Sequence, residues 1–249
     1  MSLTELQLHS NVHEVSASGD WSVTPEGPLS RIQVGFNSKD LGASLQSLGY
    51  AATIQGGETR ADFTASWRAP LPAVTLDLLN GPLDFTVGAG QLLKVDLGVG
   101  RIFGLLNFSN IMRRLRLDFS DLLEEGLTFD SITGSFDFDQ GQANTDNFVM
   151  EGPAIRIGIT GRIDLLKRRY DQLVTVIPQV GSPLTIAGTI AGGPVVGAAV
   201  FVAENLLKPG IDEVARRQYR LSGSWDDPSF QAVGRESLRT TPQGGHGNK

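Results

Sequence analysis

The sequence has no cysteine and only three histidines among its 249 residues. Without cysteine there can be no disulfide, no thiolate nucleophile and no cysteine-bound metal. His9 and His13 are four residues apart, which suits a metal site on a helix, but their segment alternates like a strand. The third, His246, lies in a polar C-terminal segment. We therefore expect no metal, no cofactor and no catalytic residue, and a protein that is not an enzyme.

Charged residues are also scarce, at 19% of the chain, and the net charge is −6. A nucleic-acid partner is not expected, because phosphate binding needs a basic face. The acidic cluster in "DLLEEG" is typical of a solvated turn rather than of paired catalytic carboxylates. Three groups of basic residues have two interpretations. They lie on the polar face or at the end of a strand, which we favour, or they contact anionic lipid headgroups. They are Arg113/Arg114/Arg116, Lys167/Arg168/Arg169 and Arg216/Arg217/Arg220.

The N-terminal segment "MSLTELQLHSNVHEV" lacks a basic region followed by an apolar stretch, so it does not read as a secretory signal. The chain is then either cytosolic or a piece of a longer protein. Strand-like alternation directly after the first three residues favours the second interpretation.

Apolar and polar residues alternate with a period of two through most of the chain. In "VSASGDWSV", Val15, Ala17, Trp21 and Val23 share one face, and serines and Asp20 fill the other. Such alternation is typical of antiparallel strands with one apolar face. The 30 glycines, the 12 prolines and signals such as Gln140-Gly141 and Asn80-Gly81-Pro82 indicate frequent turns. Strands are predicted at 15–23, 61–67, 83–87, 95–99, 115–119, 136–138, 155–164 and 219–226.

Short segments such as "SASGDWSVTPEG", "GITGRIDL" and "RLSGSWDDPSF" share a loose pattern, which indicates a sheet extended by repetition. Helices are few in this interpretation. One is predicted at 40–50 with Asp40 as its N-cap, and a second at 100–115. We expect a mainly β protein: an extended, curved, repetitive antiparallel sheet, groove-like, with a few short helices, including an apolar one near the C-terminus.

That apolar helix begins within a run without charge from Gln172 to Ala203. Gly192-Gly193-Pro194 interrupts the run, and the remaining Pro194–Leu207 is about 14 residues or about 21 Å long, too short to cross about 30 Å of hydrocarbon. We rank a buried or groove-associated helix first, a re-entrant membrane contact second and a true span third. Its candidate contact residues are Val195, Val196, Ala199, Val200, Phe201, Leu206 and Leu207.

Several motifs occur in an order that resembles the C-terminal region of YhdP-type, AsmA-like proteins of Gram-negative bacteria. They are "GRIFGLLN", "RRLRLDFSDL", "GLTFDSITGSFDFDQGQANTDN", "GPAIRIGITGRIDL" and "YRLSGSWDDP", with the glycine-rich apolar run between the last two. The resemblance covers about residues 92–230, and more loosely the residues upstream of them. It implies a long β-sheet groove with an apolar interior that crosses the periplasm and moves phospholipid towards the outer membrane.

The resemblance implies a periplasmic or cell-envelope location and phospholipid acyl chains as ligands. It also implies contact with the inner leaflet of the outer membrane and a longer chain N-terminal to this segment. An alternative is a non-enzymatic structural or assembly module of the envelope, whose apolar face is core or a protein interface. We expect one domain at 1–228, with a sub-boundary near 90–100, and a disordered polar tail at 229–249. Groove candidates are Phe63, Trp67, Leu117, Phe119, Phe136, Phe138, Ile155, Ile157, Ile159 and Ile163.

Overall fold

The computed structural model describes residues 2–51, 53–93, 126–179 and 216–233, with the backbone alone at 2–4. Within these ranges the chain forms fourteen strands, one α-helix and a short 3₁₀ turn. The predicted strands at 95–99 and 115–119, and the predicted helices at 100–115 and 194–207, lie outside the described residues. The elements in chain order are β1 (Ser2–His9), β2 (His13–Thr24), β3 (Gly27–Ser38), α1 (Leu41–Ser47), β4 (Ile54–Gly56), β5 (Thr59–Trp67), the 3₁₀ turn (Leu71–Ala73), β6 (Gly81–Val87), β7 (Gly90–Leu92), β8 (Leu127–Phe129), β9 (Ser131–Asp139), β10 (Gln142–Glu151), β11 (Ile155–Asp164), β12 (Arg169–Pro178), β13 (Arg217–Ser224) and β14 (Pro228–Ala232).

Eleven strands form one antiparallel sheet in the order β1-β2-β3-β5-β6-β9-β10-β11-β12-β13-β14. The order follows the chain, because each strand pairs with the next one in sequence once the three short strands are set aside. The sheet is not closed: β1 and β14 are its two edges. The predicted mainly β, antiparallel architecture with few helices is therefore confirmed for the described part of the chain.

The three short strands continue the central strands beyond a bend. β4 precedes β5, β7 follows β6 and β8 precedes β9, and they pair in the same order, β4-β7-β8. Gly56 and Gly57 form the bend with φ angles of 73° and 86°, which side-chain-bearing residues adopt only at a cost. The Gly57 N–H donates to the Ala89 carbonyl at 3.1 Å, so both bending strands are tied together. This folds Leu92, Leu127 and Phe129 into the hydrophobic core.

Helix α1 begins as predicted after Asp40, whose side chain accepts a hydrogen bond from the Ala43 N–H at 2.9 Å. It packs beside β4 at the end of the sheet where the strands bend. No helix in the described ranges is long and apolar enough to cross a bilayer.

The hairpin turns follow the sequence signals in part. Gln140 and Gly141 both have positive φ angles, 47° and 79°, as a two-residue hairpin turn requires. Asn80 instead bridges to Ser66, and β6 starts at Gly81. The last strand extends to Ala232, beyond the predicted start of the tail at 229. Residues 234–249 lie outside the described part, so the disordered tail stays a prediction, as do the single domain and its sub-boundary.

Candidate functional site

One face of the large sheet is apolar from one edge to the other. The alternation predicted from the sequence aligns between strands, because most apolar residues lie opposite an apolar or small residue of the neighbouring strand. In β2 and β3, for example, Val15 is paired with Phe36 and Ala17 with Val34. In β11 and β12, Ile157 is paired with Val176 and Ile159 with Val174. Cross-strand pairs of this kind are the unit that stabilises a sheet.

Two rows of cross-strand neighbours run across the N-terminal half of this face. The Leu8 row consists of Leu8, Val15, Phe36, Ala61 and Phe85. The Leu6 row consists of Leu6, Ala17, Val34, Phe63, Leu83 and Phe136. The Leu6 row crosses six strands, or about 24 Å at about 4.8 Å per strand. The acyl layer of one membrane leaflet is about half of the 30 Å hydrocarbon core, so the row is longer than one acyl chain layer.

Burial changes steadily along these rows. Leu6 is 43% exposed and Leu8 55%, the residues of β2 to β6 are half-buried, and Phe136 is only 3% exposed. Val23, at the turn end of β2, is 76% exposed on the same face. Exposed apolar side chains that lie side by side, rather than scattered singly, mark surfaces that bind apolar partners. The two rows therefore form an apolar surface that is open at β1 and closes towards β9.

The C-terminal half of the face is core. Ile155, Ile157, Ile159 and Ile163 have no exposed surface, and Phe148 and Leu221 are 1% exposed. They belong to one cluster with Phe129 of the bent extension.

The predicted groove residues therefore fall in different environments. Phe63 is half-buried in the Leu6 row, and its ring meets that of Phe138 edge-on at 5.3 Å. Trp67, Phe136 and Phe138 are buried on the same face, as are the four isoleucines. Lipid contact at these residues stays a prediction. Leu117 and Phe119 lie outside the described residues, and so do the apolar-helix candidates Val195, Val196, Ala199, Val200, Phe201, Leu206 and Leu207.

Several apolar residues of the two rows were not predicted from the sequence as part of a binding surface. Leu6, Leu8, Val34 and Phe36 were not singled out, although "LQL" and "IQVGF" alternate as clearly as the predicted strands. Their alternation predicts a strand face, but only the position of β1 at the edge of the sheet leaves that face exposed.

The opposite face of the sheet is polar and carries several ion pairs. Asp171 of β12 accepts a hydrogen bond from Arg220 at 2.8 Å and forms an ion pair with Arg162 at 3.3 Å. These residues line a depression of about 690 Å³ with Lys167 and Arg169. Because Asp171 and Asp164 already pair with three of the four basic side chains, the geometry favours a solvated polar face. Contact of these groups with anionic headgroups stays a prediction, and Arg113, Arg114 and Arg116 lie outside the described residues.

Asp164 offers a pH-dependent test of this polar face. The backbone N–H of Lys167, 2.8 Å from its carboxylate, holds the pKa of Asp164 below the ordinary 3.8, and the Lys167 ammonium lowers it further. A carboxyl with a lowered folded-state pKa stabilises the fold above its unfolded pKa and loses that contribution as pH falls through the folded pKa. Asp164→Asn, which still accepts the hydrogen bond, should therefore lose less stability than the wild type between about pH 5 and about pH 2.5. Urea unfolding at the two pH values measures this, and an equal loss in both proteins would contradict it.

The chain matches known proteins over most of its length. The family model described as "YhdP protein" matches residues 1–230. The chain belongs to the YhdP family. A curated relative, the "Intermembrane phospholipid transporter YhdP" of Escherichia coli (strain K12), is 27% identical over 244 residues. The match covers 98% of this chain but only 19% of that relative, so the chain spans about a fifth of its length. No solved structure matches the chain.

Membership of the YhdP family confirms the resemblance found in the motifs, and the match includes the upstream residues, where the resemblance was looser, as far as residue 1. Strands β1 to β6, with the open apolar rows, are thus part of the family region.

Proposed function

We propose that this chain is a segment of an envelope protein that transports phospholipid between membranes, and that its open apolar face carries the acyl chains. The observation that carries the proposal is the pair of apolar rows, open at β1 and continuous across five or six strands. An acyl chain needs an uninterrupted apolar path and gains roughly 0.8 kcal/mol for each CH₂ group removed from water. The Leu6 row, at about 24 Å, offers such a path for a whole chain.

Family membership supports the proposal from a second direction, since a relative carries the name of an intermembrane phospholipid transporter. Transport between two membranes would suit a periplasmic location for the protein. The chain corresponds to a fifth of that relative's length, so the path seen here is one part of a longer route. Sheet growth by sequential pairing fits this, because β1 leaves a free edge at which further strands could extend the apolar rows.

The alternative is a structural or assembly module of the envelope with no lipid ligand. The burial of the apolar side chains from β9 to β13 favours it for that half of the sheet, because those side chains pack in one cluster. It does not account for the β1 end of the two rows, where Leu6 and Leu8 are 43% and 55% exposed.

Lipid extraction followed by mass spectrometry separates the two proposals. The chain is purified without detergent, its folding is verified by circular dichroism, and co-purifying lipids are quantified. We expect about one phospholipid per chain or more. A folded, detergent-free preparation without phospholipid, which also takes up none from vesicles, would favour the structural module.

A further inference from the structure

Two buried polar side chains on the apolar face have no hydrogen-bond partner. Six polar side chains are buried in the described part of the chain: Ser30, Ser38, Ser44, Thr59, Thr145 and Gln172. The first four are satisfied: Ser30 donates to the Ala69 carbonyl, Ser38 and Ser44 bond each other, and Thr59 donates to the Gly57 carbonyl. The hydroxyl of Thr145 and both amide atoms of Gln172 bond nothing. Thr145 is 6% exposed and Gln172 only 2%.

These two side chains belong to one cross-strand row. Thr145 of β10 pairs with Gly161 of β11, and Gly161 pairs with Gln172 of β12. Gly161 has a φ of 118°, and a Cβ there would lie 2.4 Å from the Asp171 carbonyl oxygen. The middle of the row must therefore stay without a side chain. We call Thr145, Gly161 and Gln172 the polar row. Its two outer residues carry the unpartnered side chains, and Gly161 between them has no side chain.

A β-bulge sets the position of Thr145. The pairing between β10 and β11 shifts between Thr145 and Phe148, so both residues face the apolar side with two residues between them. Asn147, in the bulge, accepts a hydrogen bond from the Ser135 N–H at 2.8 Å and so replaces a lost backbone partner. Bulges of this kind re-aim side chains and are frequent next to functional sites.

The polar row also continues the Leu6 row. Asn144 pairs with Asp137 as the last regular pair before the register shift, and Thr145 and Phe136 are the next residues along the two strands. Phe136 is the buried end of the Leu6 row. An apolar path of about 24 Å therefore leads from the open edge at β1 to the polar row.

Leaving a buried amide unpartnered destabilises the fold, and an apolar side chain of the same shape would avoid that cost. Buried polar groups without partners therefore point to a missing ligand or water. The Gln172 amide offers two N–H donors and Thr145 one hydroxyl donor, which together suit carbonyl oxygens. No charged side chain lies opposite Gln172, whose neighbours in register are Gly161 and Leu221. A phosphate bound here would be a buried charge without a counter-charge. A neutral ester carbonyl needs no counter-charge and avoids that cost.

We infer that the polar row binds the ester carbonyls of a glycerolipid whose acyl chain lies along the Leu6 row. This rests on the proposed function and adds to it the part of the lipid that is recognised and the direction in which it lies. The ester region is held between β10 and β12, and the chain points towards β1.

The test compares two phosphatidylethanolamines of equal chain length, one with ester-linked and one with ether-linked chains. The ether lipid keeps the headgroup and chains but lacks the carbonyl oxygens. The purified chain is incubated with vesicles containing both lipids in equal amounts, and the retained lipids are quantified by mass spectrometry. We expect the wild type to retain the ester lipid about three- to tenfold over the ether lipid, as one or two hydrogen bonds would give.

Gln172→Leu and the isosteric Thr145→Val should each reduce this preference, and the double variant should abolish it while still retaining both lipids. Thr175→Val, on the polar face of β12, is the matched control and should keep the preference. Equal retention of both lipids by the wild type, as expected if the row holds water alone, would overturn the inference and leave the proposed function standing. A preference that survives in the double variant would also overturn it. Retention of neither lipid would contradict the proposed function itself.

Discussion

Ile159→Asp is expected to lower the free energy of unfolding by about 4 kcal/mol or more and to shift the urea midpoint far below that of the wild type. Ile159 lies in the centre of β11 with no exposed surface, between Phe148 of β10 and Val174 of β12. Among the described residues, the cross-strand neighbours of Ile159 carry no positive charge that could pair with a carboxylate, and an unpaired buried charge costs several kcal/mol. Together with the lost packing this is about 4 kcal/mol or more, a large share of the 5 to 15 kcal/mol by which a domain is stable.

Thr160→Ser is the matched control, because Thr160 is adjacent in the same strand but exposed on the polar face. We expect its urea midpoint to stay within the equivalent of about 0.5 kcal/mol of the wild type. Circular dichroism and urea unfolding measure both variants. Similar losses from the two changes would contradict the assignment of one face as core.

Leu8→Asp is expected to lower phospholipid retention roughly tenfold while the chain stays folded. Leu8 is 55% exposed, so in the free protein its replacement removes little buried surface. With an acyl chain on the Leu8 row the same side chain would be covered, and about 1.5 kcal/mol of apolar burial would be lost, which corresponds to roughly tenfold. A carboxylate on the path adds a desolvation cost in the same direction.

The control is Gln7→Asp, which adds the same charge one residue earlier on the opposite face of β1. The Gln7→Asp variant should retain as much phospholipid as the wild type, as measured by mass spectrometry after incubation with phospholipid vesicles. If both variants lost lipid equally, the effect would be due to charge at the sheet edge rather than to the apolar face.

Local patterns in the sequence predicted much of the sheet. The alternation in 155–164 predicts the face on which Ile155 to Ile163 are buried, because strand side chains alternate whatever their partners are. Asp40 likewise predicts the start of α1, since its side chain can cap only a helix that begins directly after it. These features depend on residues that are close together in the chain.

Features that depend on distant residues were not predictable. The same alternation occurs in β2 and β11, yet Val15 is half-buried and Ile157 fully buried, because burial depends on which strands lie beside each one and what packs over them. The bulge at Asn147 shifts the register of β10 by one residue, which period-two alternation cannot anticipate. The polar row joins Thr145 to Gln172, which are 27 positions apart in the chain, only through the pairing of both with β11.

The most direct test of the acyl-chain path is photo-crosslinking from Val34, in the middle of the Leu6 row. A photoreactive amino acid replaces either Val34 or the adjacent Gln33, which is exposed on the opposite face of β3. Each protein is loaded from phospholipid vesicles, separated from them, irradiated and analysed by intact mass. We expect a phospholipid adduct at position 34 and none at position 33. No adduct at position 34 in a lipid-loaded protein, or equal adducts at both positions, would contradict the acyl-chain path.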